Sequence, residues 1–205
     1  MRRQPARALL VDLDGVLRHR DASHTAAVEA SYGLDAGTLL DTAMRWDLYR
    51  PAVAGELTDA EWMAAVAARL PLPPDEAAAA VAKWQQHRGD VDAEALAFVR
   101  EVRAAGRPVG LATNGTDVLR GDLAALGLAG EFDAVLSSWE LKIHKPARAF
   151  YERACAGLGL EPPWVLFVDD DDRAVRAARA VRMPAYRWTG PAGVPYLRGA
   201  LGFGG

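Results

Sequence analysis

Residues 9–17 read LLVDLDGVL, an apolar run ending in two acids one residue apart, Asp12 and Asp14, with Gly15 behind them. Burying unpaired carboxylates is costly, so a strand that ends this way must open at its tip onto a polar site. Three further runs share the pattern: PVGLAT (108–113), DAVLSS (133–138) and WVLFVDD (164–170). Each is short, lacks apolar/polar alternation and ends in polar or acidic residues, as a strand buried on both faces does. PAYRW (184–188) is a weaker fifth.

Helical patterns separate these runs. AEALAFVREVRAAG places Leu96, Val99 and Val102 on one face and stops at Gly106. In GTDVLRGDLAALGL, Asp117 is the expected N-cap and Gly127 the stop. PARAFYERACAGLGL places Pro146 in a first turn, and DDRAVRAARAVRMP is halted by Pro184. Alternating strand and helix implies an α/β fold, a doubly wound parallel sheet covered on both sides. Its ligand crevice lies beyond the carboxyl ends of the strands. Between residues 18 and 89 no strand-like run occurs; SHTAAVEASYGL, DAEWMAAVAARL and PDEAAAAVAKWQQH are helical, with PLPP (71–74) as a joint. The expected organisation is a core of residues 1–17 and 90–205 with a helical module, 18–89, inserted. The tail RGALGFGG is expected to be loosely ordered.

Composition bounds the function classes. Of 205 residues, 51% are hydrophobic, enough for one core and an accessory module. The net charge of −3, with no basic block, argues against nucleic-acid or membrane-surface partners. The opening MRRQPARALLVDL mimics a basic signal n-region, but Asp12 and Asp14 cut the apolar run and no small-residue cleavage site follows. A cytoplasmic protein, monomer or homodimer, is expected. The single cysteine, Cys155, excludes an internal disulfide and reads as a packing residue.

Asp12 and Asp14, Thr113 and Asn114, Lys145, and the acids 169–172 fall at strand or helix ends that converge on one rim. Each alone has a bland reading: a common DxD, a strand end, a solvated lysine, a helix N-cap with extra acids. Their joint placement favours a site with a cation. Hard oxygen ligands suit Mg²⁺ rather than zinc.

This ordered set resembles the haloacid dehalogenase-like (HAD) superfamily over nearly the whole chain. DLDGV is similar to its first motif, LATNGT to the second, KIHKPARAFY to the third and VLFVDDDDRAVRAA to the fourth. SSWELKIHKP and the VDD…AARAV ending resemble the subgroup with a small helical cap (C1). GELTDAEW is similar to cap sequences there, including those of bacterial enzymes acting on glucose 1-phosphate. The resemblance implies a Rossmann-like HAD core and a Mg²⁺-dependent phosphatase acting on a small phosphate ester, sugar-phosphate-like. It makes Asp12 the nucleophile and Asp14 the acid/base, with a pKa raised by nearby carboxylates. Asp12, the Asp14 carbonyl and Asp170 would hold Mg²⁺. Thr113 and the Asn114 amide would bind phosphoryl oxygens, and Lys145 would neutralise charge.

The resemblance also separates the branches. Haloacid dehalogenases lack an acid at the position of Asp14, so its presence favours phosphate-ester hydrolysis. Phosphonatases use a cap lysine, and the module's single lysine, Lys83, reads as solvent-facing. A phosphomutase, or a phospho-acceptor signalling module, is the alternative. Ala174 stands where many members carry an acid, which would shift ligation to water, Asp169 or Asp171. Arg18 and Arg20 are expected to make the entrance positive. Arg45, Trp46, Tyr49 and Arg50 read as an aromatic helix face with solvated arginines, a grip on a sugar phosphate being the alternative. His24, His87 and His144 show no metal-ligand spacing.

Overall fold

The computed structural model describes residues 4–203. In chain order the chain forms β1 (Ala8–Val11), β2 (Arg18–His19), α1 (Ala22–Ser31), α2 (Thr38–Ala43), α3 (Trp46–Val53), α4 (Asp59–Ala67) and α5 (Pro74–Trp84). There follow β3 (Asp90–Val91), α6 (Ala93–Ala104), β4 (Val109–Thr113), α7 (Leu119–Ala125), β5 (Ala134–Ser137) and α8 (Ser138–Leu141). The chain closes with α9 (Arg148–Gly157), β6 (Val165–Asp169), α10 (Asp172–Ala180), β7 (Ala185–Arg187) and α11 (Val194–Ala200).

Five of these strands make one parallel sheet in the order β5-β4-β1-β6-β7. Successive side chains on a strand point to opposite faces. Leu9 and Val11 accordingly join Val99 and Leu197 on one side, while Ala8 and Leu10 meet Phe150, Tyr151 and Phe167 on the other. The three central strands β1, β4 and β6 are buried at every position, which is why alternation is missing, whereas the edge strands β5 and β7 are only partly covered. The chain runs outward from β1 to β4 and β5, then returns to β6 on the opposite side of β1. That reversal opens a crevice where β1 and β6 end.

Helices α1 to α5 surround a hydrophobic cluster of their own that includes Val28, Leu39, Trp62, Val66 and Val81. The chain enters and leaves this module through the antiparallel pair β2–β3, in register Arg18↔Val91. Inside it, the buried carboxylate of Glu29 accepts hydrogen bonds from the backbone N–H groups of Gly37 (2.9 Å) and Leu39 (2.8 Å). It thereby closes the start of α2, where Gly37 has no side chain to do so.

Three local expectations need correction. Asp117 does not cap α7; its Oδ1 accepts from the backbone N–H of Asp59 at 2.6 Å, so a core carboxylate serves the first turn of α4 in the helical module. Pro146 lies ahead of α9 rather than in its first turn, joined to Lys145 by a cis peptide bond. The tail is not loose through residue 203: Leu197 and Leu201 are fully buried against the sheet. Gly204 and Gly205 lie outside the described residues.

Removing the Glu29 side chain strands two amides in the module's interior. Leaving a buried donor unsatisfied costs roughly 1–3 kcal/mol. Glu29→Ala is therefore expected to lower unfolding free energy in urea titrations by at least about 2 kcal/mol, and a loss under 0.5 kcal/mol would contradict this account.

Candidate active site

The carboxyl ends of β1, β4 and β6 carry Asp12, Thr113 and Asp169 respectively, all buried. Lys145, on the loop between α8 and α9, reaches in from the side. Its Nζ lies 2.8 Å from Asp12 Oδ1 and donates to Asp169 Oδ2 at 2.6 Å. The two carboxylates hold the buried ammonium charged, raising its pKa against the opposing effect of burial. Asp12 moves the other way from an ordinary carboxyl: burial pushes it up to about 7, Asp169 adds to the rise, and Lys145 restrains it.

Asp14, two residues on, is half-exposed and forks onto Arg18, with Nε to Oδ1 at 2.8 Å and Nη2 to Oδ2 at 2.9 Å. A raised Asp14 pKa was the expectation, and the structure corrects it. Burial does push the carboxyl up, but Arg18, aided by Arg20 and Lys145, outweighs it and holds the group below its ordinary value. Arg18 is buried and also donates to Asp122 Oδ2 at 2.9 Å, so its charge is spent internally rather than offered at the entrance.

Asn114 contributes its side chain as well as its amide. Its Oδ1 accepts from the Lys145 N–H (2.8 Å) and its Nδ2 donates to the Lys145 carbonyl (3.1 Å), clamping the lysine loop to the tip of β4. Ser138 Oγ bonds both the N–H and the carbonyl of Gly115 and fixes the same loop. Nothing in the sequence pattern marked these two clamps, because each depends on which loops become neighbours.

The acids at β6 divide their work. Asp169 spends Oδ2 on Lys145 and Oδ1 on the Asp171 N–H, and Asp171 caps α10. Asp170 is exposed, and its carboxylate lies against Gly15, where an added Cβ would collide with Asp170 Oδ2. Gly15 also has φ +82, so both conformation and space require glycine. Asp12, Asp169 and Asp170 place carboxylate oxygens within 4.8 Å of one another, and Asp12 Oδ1 is a buried oxygen without an aligned hydrogen-bond donor. Three acids face one ammonium. An all-oxygen cluster with uncompensated negative charge fits a hard divalent cation such as Mg²⁺.

Trp46 and Tyr49, from α3, line the chamber over these acids, whereas Arg45 and Arg50 turn to surface pairs with Asp47 and Glu56. Lys83 is exposed and donates to Ser31. Cys155 is buried, its thiol pushed up to about 12 by burial. Although their sequence spacing is unremarkable, His24 and His87 lie with ring centroids 5.4 Å apart and planes tilted by 36°, and His144 packs edge-on against Trp46.

The site is thus a doubly wound α/β sheet with acids at two central strand tips, a buried lysine between them and a helical module above. The family model of the haloacid dehalogenase-like hydrolases matches residues 6–182, and the chain belongs to that family. It is 39% identical over 88 residues to a phosphoserine phosphatase of Thermus thermophilus, covering 42% of this chain and 35% of the relative. To the fructose-1-phosphate phosphatase YqaB of Escherichia coli it is 34% identical over 80 residues, 38% of this chain and 43% of the relative. A comparable match links it to (S)-2-haloacid dehalogenase 4A of Burkholderia cepacia, 35% identical over 79 residues, 38% of this chain and 34% of the relative. The alignments thus span well under half of each curated relative. The fold matches a HAD-like hydrolase structure from Porphyromonas gingivalis with TM-score 0.73, 20% identity and coverage of 97% of this chain and 98% of that one. It also matches a HAD family enzyme from Bacteroides thetaiotaomicron solved with magnesium and inorganic phosphate, with TM-score 0.69, 19% identity and coverage of 89% and 93%. Among the described residues no helix is long and apolar enough to cross a membrane.

Asp12 binds its proton more tightly when folded, up to about 7 against an ordinary 3.8. The folded state then holds more protons than the unfolded chain between those values, so ionising Asp12 costs stability as pH rises through the window. In EDTA, Asp12→Asn is expected to melt above wild type at pH 8, with the advantage fading toward pH 4. Thermal melts that coincide at both pH values would show that Asp12 carries no such cost.

Proposed function

We propose that this chain is a Mg²⁺-dependent phosphoric monoester hydrolase acting on a small phosphorylated metabolite through an aspartyl-phosphate. The observation that supports it most is the buried Asp12–Lys145–Asp169 array, with Asp14 and Asp170 beside it. One Asp12 oxygen attacks phosphorus as the bond to the leaving oxygen breaks. Asp14, protonated for this step, gives its proton to that oxygen. As a carboxylate it then takes a proton from water, whose oxygen displaces Asp12 from phosphorus. Both acids return to their starting states.

To act as an acid, Asp14 must turn from Arg18 toward the leaving oxygen. Thr113 and the Asn114 amide bind phosphoryl oxygens, and Lys145 offsets their charge and that of Asp12. Asp12, Asp170 and the Asp14 carbonyl would hold Mg²⁺, which supplies positive charge against the crowded carboxylates and phosphate oxygens. The phosphatase relatives support this reading, and Asp14 favours it over halide displacement from carbon. Sugar phosphates are the substrates that the cap resemblance suggests.

Purified protein is expected to hydrolyse p-nitrophenyl phosphate with Mg²⁺, and to stop when EDTA is added. Asp12→Asn should lower kcat by at least about a thousandfold. Equal rates for variant and wild type, or release of chloride from 2-chloropropionate in place of phosphate hydrolysis, would overturn the reading.

A further inference from the structure

Beside the chamber over the acids lies a second cavity of about 280 Å³, between the helical module and the core. The two adjoin, and Asp14, Arg18, Arg20, Met44, Tyr49, Thr113 and Asn114 line both. An ester whose phosphorus sits at Asp12 therefore has room for its leaving group there. The size is near the lower end of ligand pockets, roughly 300–1,000 Å³.

Much of its wall is apolar. Leu40, Met44, Val53, Trp62 and Met63 face it from α2, α3 and α4, and Leu119 from the core. Met44 is 47% exposed and Leu40 37%, unusual for large apolar side chains in a module with its own packed core. A polyol gains little from such a wall, whereas an aromatic or aliphatic body removes it from water.

The charged groups around the cavity are almost all spent on one another. Arg18 is divided between Asp14 and Asp122. Arg88 donates to both oxygens of Asp122 and lies 3.5 Å from Asp59. Asp59 also accepts from Thr116 (3.0 Å) and Gln85 (2.9 Å). Arg20 is the exception. It forms no hydrogen bond or ion pair among the described residues, and its guanidinium sits 5.4 Å above the Trp84 ring. A planar fork of free donors at a cavity wall matches a carboxylate or a second phosphate.

We propose that this cavity takes a leaving group with an apolar body and a second anionic group, which Arg20 binds. The inference rests on the phosphatase reading for the position of the phosphorus, and it narrows the substrate class away from neutral sugar phosphates. Arg20 acts as a specificity residue, not on the transferring phosphoryl group.

The test is binding, which needs no turnover. Calorimetry with Mg²⁺ present compares benzylphosphonate with 4-(phosphonomethyl)benzoate, which adds the carboxylate. Wild type is expected to bind the carboxylated compound about tenfold more tightly. Arg20→Met should bring the ratio close to one, leave benzylphosphonate affinity within about twofold, and be partly rescued by Arg20→Lys. Equal binding of the two phosphonates by wild type, or binding of neither, overturns the proposal. So does an equal loss for both in Arg20→Met, which would place Arg20 on the phosphoryl group instead. Hydrolysis of phenyl phosphate by wild type, measured in parallel, reads the phosphatase assignment separately: it can fail while the binding preference stands, and the reverse.

Discussion

One buried ammonium organises the site. Lys145 stands between Asp12 and Asp169 at 2.8 and 2.6 Å, and without it two carboxylates would face each other inside the protein. Coulombic repulsion at that range, with little water to screen it, would drive one acid to protonate or the strand tips to part. The surrounding loops are arranged to hold this cation in place. Asn114 grips the backbone of Lys145 from both sides, Ser138 ties down the turn after β4, and Asp171 gives its amide to Asp169. Even so, the three acids Asp12, Asp169 and Asp170 outnumber the one ammonium among them.

The sheet was legible because its physics is local. Strands buried on both faces must be apolar throughout, so LLV, VGLA and VLFV announced themselves, and the acids after them had to be at exits from the core. Asp12 and Thr113 could be named because each stands where an apolar run ends, and Lys145 because it stands just before a helix. What the sequence could not show depends on distant partners. Asp117 looked like a cap for its own helix and instead serves α4. Arg18 looked like a free charge at the entrance and is consumed by Asp14 and Asp122. Asp14 is a different case: its partner Arg18 is only four residues on, but whether the two side chains meet depends on how the chain turns after β1.

The helical module has two distinct relations to the core. Its interior is self-contained, with Trp62, Val66 and Val81 packed together and Glu29 satisfying the start of α2 from within. Its underside is not. There Asp59, held also by Gln85, accepts from Thr116, and Arg88 donates to Asp122, so directional polar contacts join the two parts. Asp59, Thr116 and Asp122 are buried, so these contacts fix the register of the module on the core, and breaking one would leave a charge unpaired.

The bond from Asp117 to the first amide of α4 bears on how such a module could be moved between proteins. A helix start that relies on a carboxylate from another part of the chain is not a cassette with clean ends. Grafting residues 18–89 onto a foreign scaffold would leave that amide, and the acid at Asp59, without their hosts. A chimera that also transplants the turn carrying Thr116 and Asp117, and the Asp122 position behind it, keeps the joint intact.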